Sequence, residues 1–201
     1  QESITEVNIH SRPTNPVKSP HDQDLEDVIK AFKRYGAVFD VLKNHGYEYA
    51  GVLHNSARNK VFLVEEPVSG KQKAVKLFDR EDNFVKEKET QELLLSYGRH
   101  RNVLLAERFI DEYQLMILPH AAGGNLFEVR KKNSLTLSEM EVIAAHVLDG
   151  LQYLHDHNFV HRDVKLSNIV LDIDVVGLHN FQVIDYEFAR CLDDPIPEYE
   201  Q

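Results

Sequence analysis

Two short stretches of the chain carry side chains suited to phosphate chemistry. The first, 161–168, reads His-Arg-Asp-Val-Lys-Leu-Ser-Asn, and the second, 183–187, reads Val-Ile-Asp-Tyr-Glu. Together they supply a proton acceptor, a cation, an amide and a second carboxylate. Phosphoryl transfer depends mostly on positioning and on charge neutralisation, so this set suits a metal-bound polyphosphate held beside a hydroxyl nucleophile. The residues therefore predict ATP as the ligand.

The stretch 161–168 resembles the H-R-D-x-K-x-x-N catalytic loop of eukaryotic-type protein kinases and matches it without a gap. The resemblance implies that Asp163 accepts the proton of the substrate hydroxyl and that Lys165 steadies the transferring phosphate. It also implies that Asn168 is a magnesium ligand. Lysine two positions after the aspartate is the serine/threonine-kinase form, and small-molecule phosphotransferases of related fold usually lack it.

The second stretch occupies the place of the family's D-F-G motif. By resemblance, Asp185 is the other magnesium ligand, and a carboxylate suits that ion. Tyr186 stands where the family has phenylalanine and can serve as the packing ring. Glu187 replaces the glycine, which adds a negative charge beside the metal and restricts rotation of the backbone.

A lysine far upstream resembles the family's phosphate anchor. The stretch 74–76 reads Ala-Val-Lys, like the kinase A-x-K, which implies that Lys76 contacts the ATP phosphates. In kinases a glutamate of the following helix holds this lysine. Alignment of the apolar residues that follow places Thr90 at the expected position, flanked by Glu89 and Glu92. We expect Glu89 to reach Lys76 after a shift of one helical turn, and the phosphate, metal and base residues to surround one nucleotide.

The glycine-rich loop of the family is the clearest departure. Where kinases have L-G-x-G-x-F-G-x-V, residues 53–61 read Leu-His-Asn-Ser-Ala-Arg-Asn-Lys-Val, without a glycine. Glycines there let backbone amides close over the phosphates, so bulkier residues weaken or reshape that clamp. Arg58 or Lys60 would supply a compensating charge.

An adenine site follows from the same resemblance. Leu118 matches the gatekeeper, after which the carbonyl of Pro119 and the amide of Ala121 would bind the base. Proline is acceptable there because only its carbonyl is used. Three further residues match the apolar slot around the base: Val61, Ala74 and Val170.

The order of predicted elements gives the fold class, which is α+β. Residues 1–20 are predicted to be a flexible leader, and 21–45 an amphipathic helical extension with a break near Gly36. Strands are predicted over 51–53, 60–64, 73–78, 103–109 and 114–118, with a helix over 83–97 before the last two. This is the five-stranded antiparallel small lobe of a kinase, over 46–118, followed at 119–201 by the linker and the first, mainly helical part of the large lobe. Asn125 is expected to cap a short helix, and Ser138 with Glu141 the next one.

Composition limits the remaining function classes. The 201 residues include 33 acidic and 23 basic ones, for a net charge of −10, which argues against nucleic-acid binding. A single cysteine, Cys191, excludes an intramolecular disulfide framework. No apolar run has the length of a membrane span, and no signal peptide is seen. We expect a cytoplasmic protein, with a nuclear location as the alternative.

Two functions stay open at this stage. The first is a protein serine/threonine kinase that uses ATP and magnesium to modify a protein substrate. The second is a pseudokinase scaffold that binds a regulatory protein with weak or no turnover. Only eleven residues follow Arg190, too few for the later large-lobe helices. We therefore expect the apolar face that those helices would bury to be exposed, refolded or covered by a partner.

Overall fold

The computed structural model describes residues 25–55, 59–132, 134–173 and 179–193, and for residues 25–34 and 59 it describes the backbone alone. The chain divides into two compact units. The first holds the described residues up to 88 together with 106–120, and the second holds 89–105 and the described residues from 121 onward. The sequence had assigned all of 46–118 to one lobe. The predicted leader 1–20 and Arg58 lie outside the described residues.

The first unit is built on a five-stranded antiparallel sheet, as predicted. Its order is β1-β2-β3-β5-β4. The strands are β1 (Glu48–Asn55), β2 (Asn59–Glu66), β3 (Lys71–Phe78), β4 (Arg108–Ile110) and β5 (Leu115–Pro119). A tight turn over 67–70 joins β2 to β3, and β1 and β2 also pair antiparallel.

Alternation along the strands gives this sheet two different faces. Phe62 pairs with Val75 across β2 and β3, and both are buried in the core against helix α1 (Leu25–Asn44). Val61 pairs with Lys76, so the opposite face carries the predicted phosphate anchor. The register of one hairpin therefore decides that Lys76 points away from α1.

Helix α1 covers the first face of the sheet with its last turns. The predicted break next to Gly36 is confirmed, because Tyr35 has non-helical dihedral angles of φ −122° and ψ 16°. Beyond the break, Val38, Phe39 and Leu42 are buried in the same core as the sheet residues. Rings of this cluster meet edge to face, with 5.2 Å between the centroids of Phe39 and Phe62.

The predicted strand 103–109 is wrong over most of its length. Only Arg108–Ile110 form β4, whereas 102–106 are buried without a ladder. Val103 makes an isolated parallel bridge to Val183, and the Leu104 amide donates to the Val183 carbonyl at 3.0 Å. The apolar run thus reflects burial in the core of the second unit, and such a run does not by itself distinguish a strand from other buried backbone.

The second unit is mainly helical, with two small antiparallel sheets of two strands each. Helix α2 (Glu81–Ser96) enters it from the first unit. Its other elements are α3 (Leu126–Lys132), α4 (Leu137–Asp156), β6 (Phe159–Val160), β7 (Ile169–Ile173), β8 (His179–Val183) and β9 (Arg190–Cys191). Strand β6 pairs with β9 and β7 with β8. None of the helices in the described ranges has the length and apolar character to cross a bilayer.

Helices α3 and α4 both begin with a side-chain cap. The predicted cap of α3 is confirmed, since Asn125 Oδ1 accepts from the Glu128 amide at 3.0 Å. The predicted cap of α4 is wrong by two residues. Thr136, not Ser138, is the N-cap, and Glu139 completes the capping box from the third helical position. Thr136 with Glu139 and Ser138 with Glu141 both fit the capping-box pattern in the sequence. The structure forms the first of these boxes, in which Glu139 is buried.

Candidate active site

The catalytic-loop residues predicted from the sequence lie together in the second unit. Asp163 Oδ2 accepts from Lys165 Nζ at 2.5 Å and from Asn168 Nδ2 at 2.9 Å. The Asn168 amide also donates to the Asp163 carbonyl at 3.1 Å. A short 3-10 turn at Leu166–Asn168 folds the loop back so that these contacts form. A carboxylate held at one oxygen by two donors is fixed in orientation.

The two predicted metal ligands are linked through the backbone. The Ile184 amide, next to Asp185, donates to the Asn168 carbonyl at 3.0 Å. Since the nitrogen of the Asn168 side chain is used by Asp163, its Oδ1 is the atom left for a cation. Carboxylate and amide oxygens are the ligands that Mg²⁺ prefers, so this donor set fits the ion. Within the described ranges, no group of three or more His, Cys, Asp or Glu side chains forms a metal cluster.

His161 connects Asp163 to the turn that carries Asp185. Its Nε2–H donates to the Ile184 carbonyl at 3.0 Å, and its Nδ1 accepts from the Asp163 amide at 3.3 Å. Acceptance at Nδ1 requires the neutral ring. Burial lowers the pKa of His161, although the Ile184 carbonyl and the nearby carboxylates oppose the shift. The ring therefore stays neutral and positions Asp163 at ordinary pH.

Strand β8, which leads to Asp185, is held by side chains on both sides. The fully buried Asn102 donates from Nδ2 to the Phe181 carbonyl at 2.8 Å. His146 on α4 accepts from the Phe181 amide at 3.2 Å through Nδ1. Burial lowers the pKa of His146, the charge of Arg101 adds to this, and Asp149 opposes it. Neither residue was predicted from the sequence.

In the first unit, Lys76 has a different partner from the predicted one. Its Nζ lies 2.7 Å from Glu87 Oε2, and the two side chains are 9% and 1% exposed. Glu89, the predicted partner, is exposed on α2. The signal was present in the sequence, because Phe84, Glu87, Gln91 and Leu94 follow helical spacing, and all four are buried. That pattern places Glu87 on the inward face.

Lys60 does not supply the compensating charge that the glycine-free loop suggested. Its Nζ lies 2.6 Å from Asp79 Oδ2, and the residue is 5% exposed. Lys60 pairs with Leu77 in the sheet, one position before Val61, so it belongs to the face opposite to Lys76. Its charge is taken up by Asp79.

The residues predicted for the adenine slot fall in both units. In the first unit, Val61 and Ala74 share the face of Lys76 and are half-buried, and Ala74 pairs with Leu118. Pro119 ends β5. In the second unit, the half-buried Val170 on β7 bridges to Asn125, and Ala121 accepts from the Gly124 amide through its carbonyl. Ala121 is a half-buried residue, and its amide is the predicted donor to the base.

Comparison with known families identifies the class of protein. Residues 52–199, more than half of the chain, match the protein kinase domain family. The chain belongs to the protein kinase family. The five-stranded antiparallel sheet and the catalytic-loop geometry agree with this membership.

Curated relatives are serine/threonine-protein kinases. The chain is 28% identical over 166 residues to the kinase PKH2 of Candida albicans, covering 77% of the chain and 17% of that relative. It is 30% identical over 148 residues to the kinase CLA4 of Candida albicans, covering 69% of the chain and 14% of that relative. A third match, to the kinase STE20 of Debaryomyces hansenii, is 29% identical over 127 residues and covers 60% and 11%. The chain thus spans under a fifth of the length of these relatives.

Proposed function

We propose that this chain is the catalytic part of an ATP:protein serine/threonine phosphotransferase that depends on magnesium. The observation that carries the proposal is the orientation of Asp163. Lys165 and Asn168 both donate to its Oδ2. Among the described residues no donor contacts Oδ1, so Oδ1 is the oxygen that would accept a proton from a substrate hydroxyl.

The proposed roles of the other residues follow from their chemistry. Lys76 would hold ATP phosphates, and the buried Glu87 orients its ammonium. Asn168 and Asp185 would hold magnesium, which neutralises phosphate charge when bound. Lys165, with a side chain that is 51% exposed, is able to move from Asp163 toward a transferring phosphate.

The adenine base would be bound as the family resemblance implies. We propose that Pro119 supplies a carbonyl and Ala121 an amide, while Val61, Ala74 and Val170 supply the apolar walls. The half-buried state of these three side chains supports the role, since each retains surface for a ligand. We further propose that the substrate is a protein and that the reaction takes place in the cytoplasm or in the nucleus.

Nucleotide binding is tested by thermal denaturation of the whole chain with ATP and magnesium. A ligand that binds only the native state raises the melting temperature, by an amount that grows with its concentration. We expect stabilisation by ATP with magnesium and much less by ATP with a chelator. No shift at millimolar ATP would contradict the proposed nucleotide site.

Chemistry is tested by transfer of labelled phosphate from ATP to a generic basic protein. Asp163→Asn keeps the shape of the side chain but removes the proton acceptor, so we expect at least a ~100-fold loss of transfer. Asp172→Asn on β7 is the matched control, because it removes a carboxylate from the same unit without touching the loop. Equal incorporation by wild type and Asp163→Asn would refute the role of Asp163.

A second candidate function, a pseudokinase scaffold, is favoured by two observations. The loop that lacks glycine has no replacement charge from Lys60, whose ammonium pairs with Asp79. Leu137, Met140 and Leu148 recur at helical spacing on α4 and are 70%, 47% and 65% exposed, which suits binding of a protein partner. Stabilisation by ATP without any transfer, under conditions where a known kinase is active, would favour this candidate.

A further inference from the structure

The hydroxyl of Tyr186 lies in a wholly buried part of the second unit. Tyr186 is 0% exposed, and its ring packs against His161 with 5.4 Å between the centroids. The hydroxyl donates to the carbonyl of Val183, three residues earlier, at 2.8 Å. This bond closes a loop of four residues around Asp185. Phenylalanine, the residue of the family motif, has no atom that could make it.

Asp185 needs such support because its backbone is in an unfavourable region. Its φ is +70°, which is uncommon for residues other than glycine and costs free energy unless the surroundings hold it. The residues before it are fixed by the Leu104 amide, which donates to the Val183 carbonyl at 3.0 Å, and by the Asn168 carbonyl, which accepts from Ile184 at 3.0 Å. The Tyr186 hydroxyl fixes the residue after it.

We propose that Tyr186 is a positioning residue whose hydroxyl holds the turn 183–186 in the conformation that presents Asp185 to the metal. The metal role rests on the proposed function. The turn lock itself rests on the hydrogen bond and on the left-handed backbone. Rotation of the ring out of the core breaks the bond to Val183 and releases Asp185 toward an ordinary backbone conformation.

The variant Tyr186→Phe tests the hydroxyl with little harm to the fold. The ring, and thus the packing, is retained, and the Val183 carbonyl keeps the Leu104 amide as a donor. The buried Val183 carbonyl therefore avoids being left without a donor, which is the costly outcome of most hydrogen-bond deletions. Tyr153→Phe is the matched control. The Tyr153 hydroxyl, in the same unit, donates to the carbonyls of Leu94 at 3.0 Å and Gly98 at 2.6 Å.

Amide hydrogen exchange of the ligand-free protein tests the turn lock. We expect the Ile184 amide to exchange about fivefold faster in Tyr186→Phe, the factor that corresponds to one ordinary hydrogen bond. The same amide should be unchanged in Tyr153→Phe. Unchanged exchange in Tyr186→Phe, or an equal acceleration in both variants, would overturn the lock.

The magnesium dependence of ATP-induced thermal stabilisation tests the positioning role. We expect Tyr186→Phe to need about fivefold more Mg²⁺ for half-maximal stabilisation, and Tyr153→Phe to match wild type. An unchanged Mg²⁺ requirement in Tyr186→Phe would overturn the role. If wild type itself is not stabilised by ATP at any Mg²⁺ concentration, the proposed function fails and the metal role of Tyr186 fails with it. The hydrogen-exchange result decides the lock separately.

Discussion

Removal of the Glu87 carboxylate is expected to destabilise the first unit strongly. Glu87 Oε2 lies 2.7 Å from Lys76 Nζ, and the two side chains are 1% and 9% exposed. In Glu87→Ala the buried lysine ammonium would lose this carboxylate. The cation–π contact of Lys76 Nζ with the Phe78 ring, 4.6 Å to the centroid, is weaker than that ion pair.

The size of the effect follows from this burial. Removing one partner of a buried ion pair costs about 3–5 kcal/mol, because the charge that remains stays buried after this interaction is lost. For a protein of this size each kcal/mol shifts the melting temperature by about 2–4 °C, so we expect a loss of roughly 6–20 °C. Exposed ion pairs are worth far less, with a median of about 0–1 kcal/mol.

Glu89→Ala is the matched control for this prediction. It removes the same side chain from the same helix, two residues away, where the residue is exposed. We expect its melting temperature to stay close to that of wild type, since surface substitutions usually change stability by less than about 0.5 kcal/mol. Differential scanning calorimetry without nucleotide measures all variants.

Two outcomes would refute the reasoning. One is a Glu87→Ala melting temperature within about 1 °C of wild type, and the other is an equal loss in Glu89→Ala. The double variant Lys76→Met with Glu87→Leu provides a further check. Replacing a buried pair by apolar residues is often neutral in stability, so the double variant should recover most of the loss of Glu87→Ala.

Three further predictions concern the second unit. The ordinary pKa of His146 is 6.5 and burial lowers it in the fold, so the unfolded chain binds the proton first as pH falls. Stability should therefore be full above pH 6.5 and decline below it in a urea-denaturation profile. His146→Asn still offers an acceptor to the Phe181 amide and should make this decline shallower, and the remaining decline is due to His161, whose pKa burial also lowers. An equal decline in both proteins would contradict the assignment. Thr136→Ala should cost about 1 kcal/mol in the same assay through loss of the α4 cap, and no loss would mean that the cap is not formed in solution. Gly123→Ala should cost about 1–3 kcal/mol, because a Cβ there would lie 2.5 Å from Leu171 Cγ and 2.6 Å from its carbonyl oxygen; wild-type stability would show that the two segments separate easily.

Local spacing made the catalytic loop predictable. Asp163, Lys165 and Asn168 lie within six positions of one another, and a single turn is enough to bring their side chains together. The face of the sheet that carries Lys76 was predictable for a similar reason, since side chains alternate along a strand. The five strands could be inferred as a set, although the strand predicted at 103–109 proved to be mostly buried chain outside the sheet.

The partner of Lys76 was not found from the motif alignment. Successive residues of a helix are rotated by about 100°, so Glu87 and Glu89 lie about 200° apart around the axis of α2. The alignment placed the partner at Thr90, three positions after Glu87, and the choice of the neighbouring Glu89 moved the prediction to the opposite face of the helix. The burial of Phe84 and Leu94 fixes the rotation of the helix, and with it the choice of Glu87.

The sequence alone determined the kinds of side chain and their order, and hence the family and the chemistry that Asp163, Asn168 and Asp185 can perform. Tertiary structure alone decided which groups meet across distant parts of the chain. It paired Lys60 with Asp79 rather than with a ligand, and it placed His146 against β8. The physical reason is range: a turn or a strand is set by neighbouring residues, whereas a buried contact depends on how whole elements pack.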